Sequence, residues 1–210
     1  MLYLQKTEFD AAPLATDPFP HTIVRHFIAP DAIARIGADF PSLPGPGAFP
    51  PAALKLRGHF AGLIDELTGP WLRDAVAQKF AIDLDSRPLV WTVRGYLRER
   101  DGGVHTDSES KLVTLLLYLN EDWQDAGGRL RLLRSPDSLM TPVVEVPPLG
   151  GTLLCFARSD RSWHGHLPFA GKRRAIQLNF MCDARIAARE QRRHLLSARV
   201  KQAKALFRGA

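Results

Sequence analysis

With 210 residues, 45% hydrophobic and 24% charged, the chain has the size and composition of one globular domain, with a core large enough to need no disulfide framework. No apolar run reaches membrane-spanning length, and Met1 to Thr16, with Lys6, Glu8 and Asp10, lacks the basic-then-apolar pattern of a secretion signal. The net charge of +6 sits at one end: residues 183–210 carry eight basic and two acidic groups and the remainder is neutral, which argues against a nucleic-acid-binding body.

In chain order, the proline- and aromatic-rich residues 17–30 read as an extended lead-in. Residues 31–40 predict a short helix with Ile33, Ile36 and Phe40 on one face. Pro41 to Pro51 is a loop, and helices follow at about 52–68, with Phe60, Leu63, Ile64 and Leu67 at helical spacing, and at 70–80, with Pro70 in its first turn. From Arg87 the texture changes to short β-rich runs between turn signals: Leu89–Arg98, Lys111–Leu119, Arg129–Leu133, Val143–Val146, Thr152–Phe156, Ser162–Leu167 and Arg173–Cys182. Such a series with no helical pattern between its members predicts an antiparallel sandwich or barrel. Cys155 and Cys182 lie in two apolar runs and read as free thiols of a reducing cytoplasm. A helix over about 184–207 closes the chain, with Leu196, Val200, Ala203 and Phe207 as its apolar stripe and its basic residues as a solvated face. The expected layout is a single domain with an N-terminal helical region (1–86), a β core (87–182) and a basic C-terminal helix (183–210), the helices packed on one sheet.

The chemistry concentrates in a few residues. His105 and Asp107 are two apart, so on an extended segment both side chains leave the same face. A second histidine, His164 or His166, lies about sixty residues on; the spacing of ten to Arg174 and the following Gly165 favour His164. His166 then stands close by, as a hydrogen-bonding neighbour. Two imidazoles and one carboxylate on one face of a metal leave the other face open, the ligand set of non-haem Fe(II) oxygenases. In Arg173–Cys182 the alternating set Arg174, Ile176, Leu178, Phe180 is the more apolar, so Arg174 is expected to point inward, where a guanidinium needs an anion and a bound dicarboxylate would supply one. Tyr118, in a strand apolar on both faces, needs a partner for its hydroxyl and is placed beside that carboxylate; Tyr96, nine residues before His105, is a further candidate.

These residues and their surroundings resemble the Fe(II)/2-oxoglutarate-dependent dioxygenases, within them the prolyl 4-hydroxylase-like group. The resemblance spans about residues 90–182: Tyr96 to His105-Thr106-Asp107, Tyr118-Leu119-Asn120-Glu121-Asp122-Trp123, Gly127-Gly128-Arg129-Leu130, Gly150-Gly151-Thr152-Leu153, Ser162-Trp163-His164 and Arg173-Arg174. It implies a double-stranded β-helix (jelly roll) flanked by helices. It also implies Fe(II) on His105, Asp107 and His164, and 2-oxoglutarate with its distal carboxylate on Arg174 and Tyr118. O₂ would be the oxidant, with a peptidyl, amino-acid or small-metabolite substrate. Some families carry a serine or threonine two residues after the arginine, where Ile176 stands, and a demethylating branch has a further arginine where Phe180 stands, which argues against nucleobase repair. The presence of Asp107 disfavours halogenation. The competing classes are a non-catalytic jelly-roll binding module and a nucleic-acid-associated protein acting through the basic helix.

Overall fold

The computed structural model describes residues 2–208, with side chains through residue 203. Two antiparallel sheets carry the fold. The larger has the strand order β1–β6–β3–β8–β2, formed by β1 (His21–Val24), β6 (Leu153–Ala157), β3 (Lys111–Tyr118), β8 (Gly171–Met181) and β2 (Leu89–Leu97). The smaller has the order β5–β4–β7, formed by β5 (Val144–Val146), β4 (Leu130–Leu132) and β7 (His164–Gly165), and is extended by a single bridge between His105 and His164. The chain passes back and forth between the two sheets, so residues distant in sequence meet in the space between them. This mainly-β architecture with flanking helices is the expected fold class.

The two faces of the large sheet are covered differently. Val113, Leu115, Leu117, Ile176, Leu178 and Phe180 project to one side and form a single buried core with Ile36, Phe60, Leu63, Leu67, Leu72 and Val76. The latter come from α2 (Pro30–Ala38), α3 (Gly58–Thr68) and α4 (Pro70–Phe80), whose apolar residues recur every three or four positions. The other side of the sheet faces the small one. There Tyr118, Leu154, Phe156 and Ala175 meet Leu130, Leu132 and Val146 in a second, smaller cluster. Beyond that cluster the space between the sheets turns polar, and the candidate site occupies it.

Sequence periodicity placed most of these elements, with differences at the ends. The helix expected over 52–68 begins only at Gly58, after a single 3-10 turn at Pro51–Ala53. The run Ser162–Leu167 shortens to the two residues of β7. Two elements were not foreseen: α1 (Lys6–Ala11) and β1, an edge strand that pairs His21–Val24 with Phe156–Leu153. The N-terminal region is therefore not purely helical. The terminal helix α5 (Ala184–Arg208) is present, but its expected stripe is not its buried face. Leu196 is 64% and Val200 55% exposed, whereas Ala187 and Ala198 are buried. Phe207 lies outside the described side chains. Both cysteines are free, Cys155 buried and Cys182 half-buried. Among the described residues no helix is long and apolar enough to cross a membrane.

Candidate metal centre and co-substrate pocket

His105 and His164 are neighbours through the backbone before their side chains meet. Each donates its amide N–H to the other's carbonyl, at 3.0 and 2.9 Å, which sets their imidazoles side by side with ring centroids 4.4 Å apart. Asp107, two residues past His105, turns in from the same side. One ligand atom from each of His105, Asp107 and His164 fits within 4.8 Å of the others, the spacing a single metal ion requires. His166, the alternative for the second histidine, is not in this group. It is buried near by, its ring packed against Gly102 and its Nδ1 hydrogen-bonded to the Leu167 carbonyl at 2.8 Å.

The surroundings prepare these donors. Nδ1 of His105 lies 2.9 Å from the Gly103 carbonyl and Nδ1 of His164 lies 2.9 Å from the Ser162 carbonyl. A carbonyl only accepts, so each Nδ1 carries the proton and each Nε2 keeps its lone pair for a metal. Asp107 Oδ1 is 2.6 Å from the Lys111 ammonium, and Oδ2 accepts the Thr114 hydroxyl at 2.5 Å. Burial works to raise the Asp107 pKa, but the Lys111 ammonium, the neighbouring His164 imidazole and these two hydrogen bonds outweigh it and hold the carboxyl below the usual carboxylate range. Burial pushes the His164 imidazole down to about 4 against the attraction of Asp107. At neutral pH both groups are therefore deprotonated and matched to a divalent cation. Gly165 is needed for the close approach: a Cβ there would lie 2.8 Å from the Gly102 carbonyl oxygen.

The arginine expected at the co-substrate is the one correction of consequence. Arg174 does not enter the space between the sheets. Its guanidinium lies on the helix side, donating to the Gly37 carbonyl of α2 at 3.0 Å and standing 4.6 Å over the Phe40 ring. Arg173 points inward instead, 5% exposed, into a cavity of about 350 Å³ that it lines together with His105, Asp107 and His164. Period two had separated the faces of β8 correctly, but the more apolar face is the one buried under helices. The cavity face is Arg173, Ala175, Gln177 and Asn179. Counting two residues on from Arg173 instead of Arg174 reaches Ala175, which, like Ile176, offers no hydroxyl.

Tyr118, expected beside Arg174, is fully buried beside Arg173 instead. Its oxygen is 3.4 Å from an Arg173 terminal nitrogen and its ring lies 4.9 Å from the guanidinium. Burial raises the phenol's pKa, so the hydroxyl keeps its proton as a donor. Arg173 Nε donates to the Gly128 carbonyl at 2.7 Å. Gly128 has φ +71°, a conformation suited to glycine, and its turn is braced by Trp123, whose Nε1 donates to the Gly127 carbonyl at 3.0 Å. The Trp-to-Gly-Gly segment thus aims the arginine. Asn120 fastens the end of β3 to β8, accepting from the Arg174 amide at 2.7 Å and donating to the Pro148 and Arg174 carbonyls. Tyr96 is not in the site: it is 42% exposed, beside a bulge between Arg94 and Tyr96 that breaks the alternation of β2. Thr114, Lys111, Arg94 and Gln177 are not among the residues expected from the sequence, although Thr114 is a polar residue in an apolar run and Gln177 lies on the polar face of β8, both signals of a wet cavity.

The residues present fit the groups that such a site would hold. Two Nε2 lone pairs and a carboxylate suit Fe(II), and a buried guanidinium beside a protonated phenol suits a carboxylate. The family model described as the 2OG-Fe(II) oxygenase superfamily matches residues 91–181, which include every residue of this cluster. No curated protein matches the chain. Among solved structures it is similar to a prolyl-4-hydroxylase from Pseudomonas putida, with TM-score 0.54, 23% identity and coverage of 78% of this chain and 88% of that one. It is also similar to the viral collagen prolyl hydroxylase of Paramecium Bursaria Chlorella virus-1 in its 2OG complex, with TM-score 0.53, 17% identity and coverage of 79% and 97%. The superfamily and the His–Asp–His cluster together assign Fe(II), 2-oxoglutarate and O₂ as metal and co-substrates. Residues 91–181 are thus similar in sequence to the 2OG-Fe(II) oxygenase superfamily, and the fold is that of the similar prolyl hydroxylases.

Proposed function

We propose that the protein is a 2-oxoglutarate-dependent hydroxylase of an unactivated C–H bond in a peptidyl (prolyl-type), amino-acid or small-metabolite substrate, releasing succinate and CO₂. The observation that carries this reading is convergence: His105, Asp107 and His164 share one point, and Arg173, with the Tyr118 hydroxyl beside it, lines the same cavity. Bound iron supplies the chemistry, coupling oxidative decarboxylation of 2-oxoglutarate to insertion of one oxygen atom of O₂ into the substrate. The chain's own residues do the rest. His105, Asp107 and His164 hold the metal from one side and leave the other for small molecules. Arg173 and Tyr118 hold the distal carboxylate of 2-oxoglutarate, the guanidinium as a fixed cation and the phenol as a neutral donor. Thr114 and Lys111 keep Asp107 ionised and oriented. Leu116, Leu130 and Ala175 keep that end of the cavity apolar and low in water. The prolyl-type option draws support from the named activities of the similar structures.

The test is succinate formation from 2-oxoglutarate with Fe(II) under air, in the presence of candidate peptides and metabolites read for a gain of one oxygen by mass. Asp107→Ala should abolish both signals. Metal-loaded protein that neither binds nor turns over 2-oxoglutarate would end the proposal.

A further inference from the structure

A second cation in the cavity has no work in the scheme above. Arg94, on β2 opposite Ala175, projects to the same side of the sheet as Arg173. Its guanidinium is partly buried, and burial together with the like charge of Arg173 destabilises its charged form. Among the described residues it makes no hydrogen bond or ion pair. The nearest acids are taken: Asp101 is held by Arg98, with Oδ1 2.9 Å from a terminal nitrogen, and Asp107 by Lys111 at 2.6 Å. One distal carboxylate on 2-oxoglutarate accounts for one guanidinium, and Arg173 with Tyr118 already surrounds that position. A buried cation left over calls for a second anion.

The position of Arg94 indicates which molecule brings it. Arg94, His105, Asp107 and Gln177 line both the 350 Å³ metal cavity and an adjoining groove of about 560 Å³, whose far wall is α5. The groove reaches the centre on the side of His105, the one exposed ligand of the three. Its α5 wall presents Arg189, Arg193 and the half-buried His194, with Glu190 between them. The basic run of the terminal helix thus faces this groove as well as solvent.

We propose that Arg94, backed by Arg193 of α5, is the docking point for an anionic group of the oxidised substrate. That substrate then carries a carboxylate or phosphate, held at the junction of the groove and the metal cavity, away from the C–H bond that is oxidised. The proposal rests on the oxygenase reading and narrows it, because a neutral or cationic substrate would seal Arg94 in without a partner. Gln177, whose Nε2 is 3.3 Å from the Asn179 side-chain oxygen, keeps its own carbonyl oxygen for a polar atom of the same molecule.

The experiment loads the full chain with Mn(II) and 2-oxoglutarate under nitrogen and titrates acetate, inorganic phosphate, N-acetylproline and N-acetylprolinamide by calorimetry. At least one anion should bind about tenfold tighter than the amide, acetate or phosphate naming which oxyanion is preferred. Arg94→Gln should remove the preference, Arg94→Lys should restore part of it, and Arg193→Gln should weaken it by about threefold, as a more solvated charge would. Arg173→Gln should weaken 2-oxoglutarate more than it weakens the anions, and Arg94→Gln should show the opposite order. The proposal is overturned if no anion exceeds the amide, if the preference survives Arg94→Gln, or if the two arginines exchange these effects. A wild-type protein that takes up no 2-oxoglutarate at all would instead overturn the oxygenase reading, so the two failures are distinct.

Discussion

Arg173 and Arg174 are chemically the same side chain and differ only in which side of β8 they leave. Arg173 is fixed by the Gly128 carbonyl and the Tyr118 hydroxyl, with no carboxylate against it among the described residues. Arg174 satisfies itself on a helix carbonyl and an aromatic face. Replacing each with Met should therefore separate binding from stability. Arg173→Met should raise the KM for 2-oxoglutarate at least a hundredfold, corresponding to the roughly 2–5 kcal/mol lost when one partner of a buried charged contact is removed. Arg174→Met should leave that KM within about twofold and cost about 1–2 kcal/mol of stability by urea unfolding, from one charge-assisted hydrogen bond and one cation–π contact. A hundredfold effect at Arg174 would reverse the assignment. The sequence carried the pair but not the choice within it. Alternation identifies two faces of a strand and is silent on whether helices or a cavity cover the oily one. In this fold helices do, so the polar face Arg173, Ala175, Gln177, Asn179 was the one to follow.

At the scale of elements, patterns survive where packing partners are apolar and fail where they are not. α3 buries Phe60, Leu63, Ile64 and Leu67, as their spacing requires, because it lies on the apolar face of the large sheet. α5 does not, because its first turns meet a small apolar patch, Val90 and Met181 with Ala187, its course then follows the groove beside the metal cavity, and Lys201 and Gln202 lie against Phe49 and Ala53. A helix over a polar rim buries small residues and leaves larger ones out, hence buried Ala198 and exposed Leu196. β1 was hidden by the prolines and aromatics around it, and α1 by having only Phe9 to bury. Ala198 is accordingly the sensitive point of α5. Ala198→Leu should overpack it, cost about 1–3 kcal/mol and raise the rate of proteolysis within residues 183–200 by about fivefold or more. Leu196→Ala, at an exposed position, should change neither by more than about 0.5 kcal/mol. Equal effects at the two positions would place the buried face elsewhere.

For the molecule as a whole, the site imposes a pH dependence on folding. His164 is 4% exposed, and its folded-state pKa of about 4 lies below the ordinary imidazole value of 6.5. Between those values the unfolded chain binds more protons than the folded one, so stability is present above pH 6.5 and is lost as the pH falls toward 4. For a metal-free chain the loss attributable to this group approaches roughly 3 kcal/mol at the lower end. His166, also lowered by burial, acts in the same direction. Asp107 acts later: its carboxyl is held below 3.8, so the stability it contributes disappears only in stronger acid. Metal steepens the curve, because its binding free energy adds to folding and protons compete for the same lone pairs. Urea unfolding at pH 7.5, 6 and 5 should show the metal-free protein weakening steadily, Fe(II)- or Mn(II)-loaded protein weakening faster, and His164→Gln with a distinctly flatter profile. A mutant slope as steep as the wild type would mean that the acid sensitivity originates outside the metal centre, and that burying a neutral imidazole between the two sheets is not what ties the stability of this fold to its chemistry.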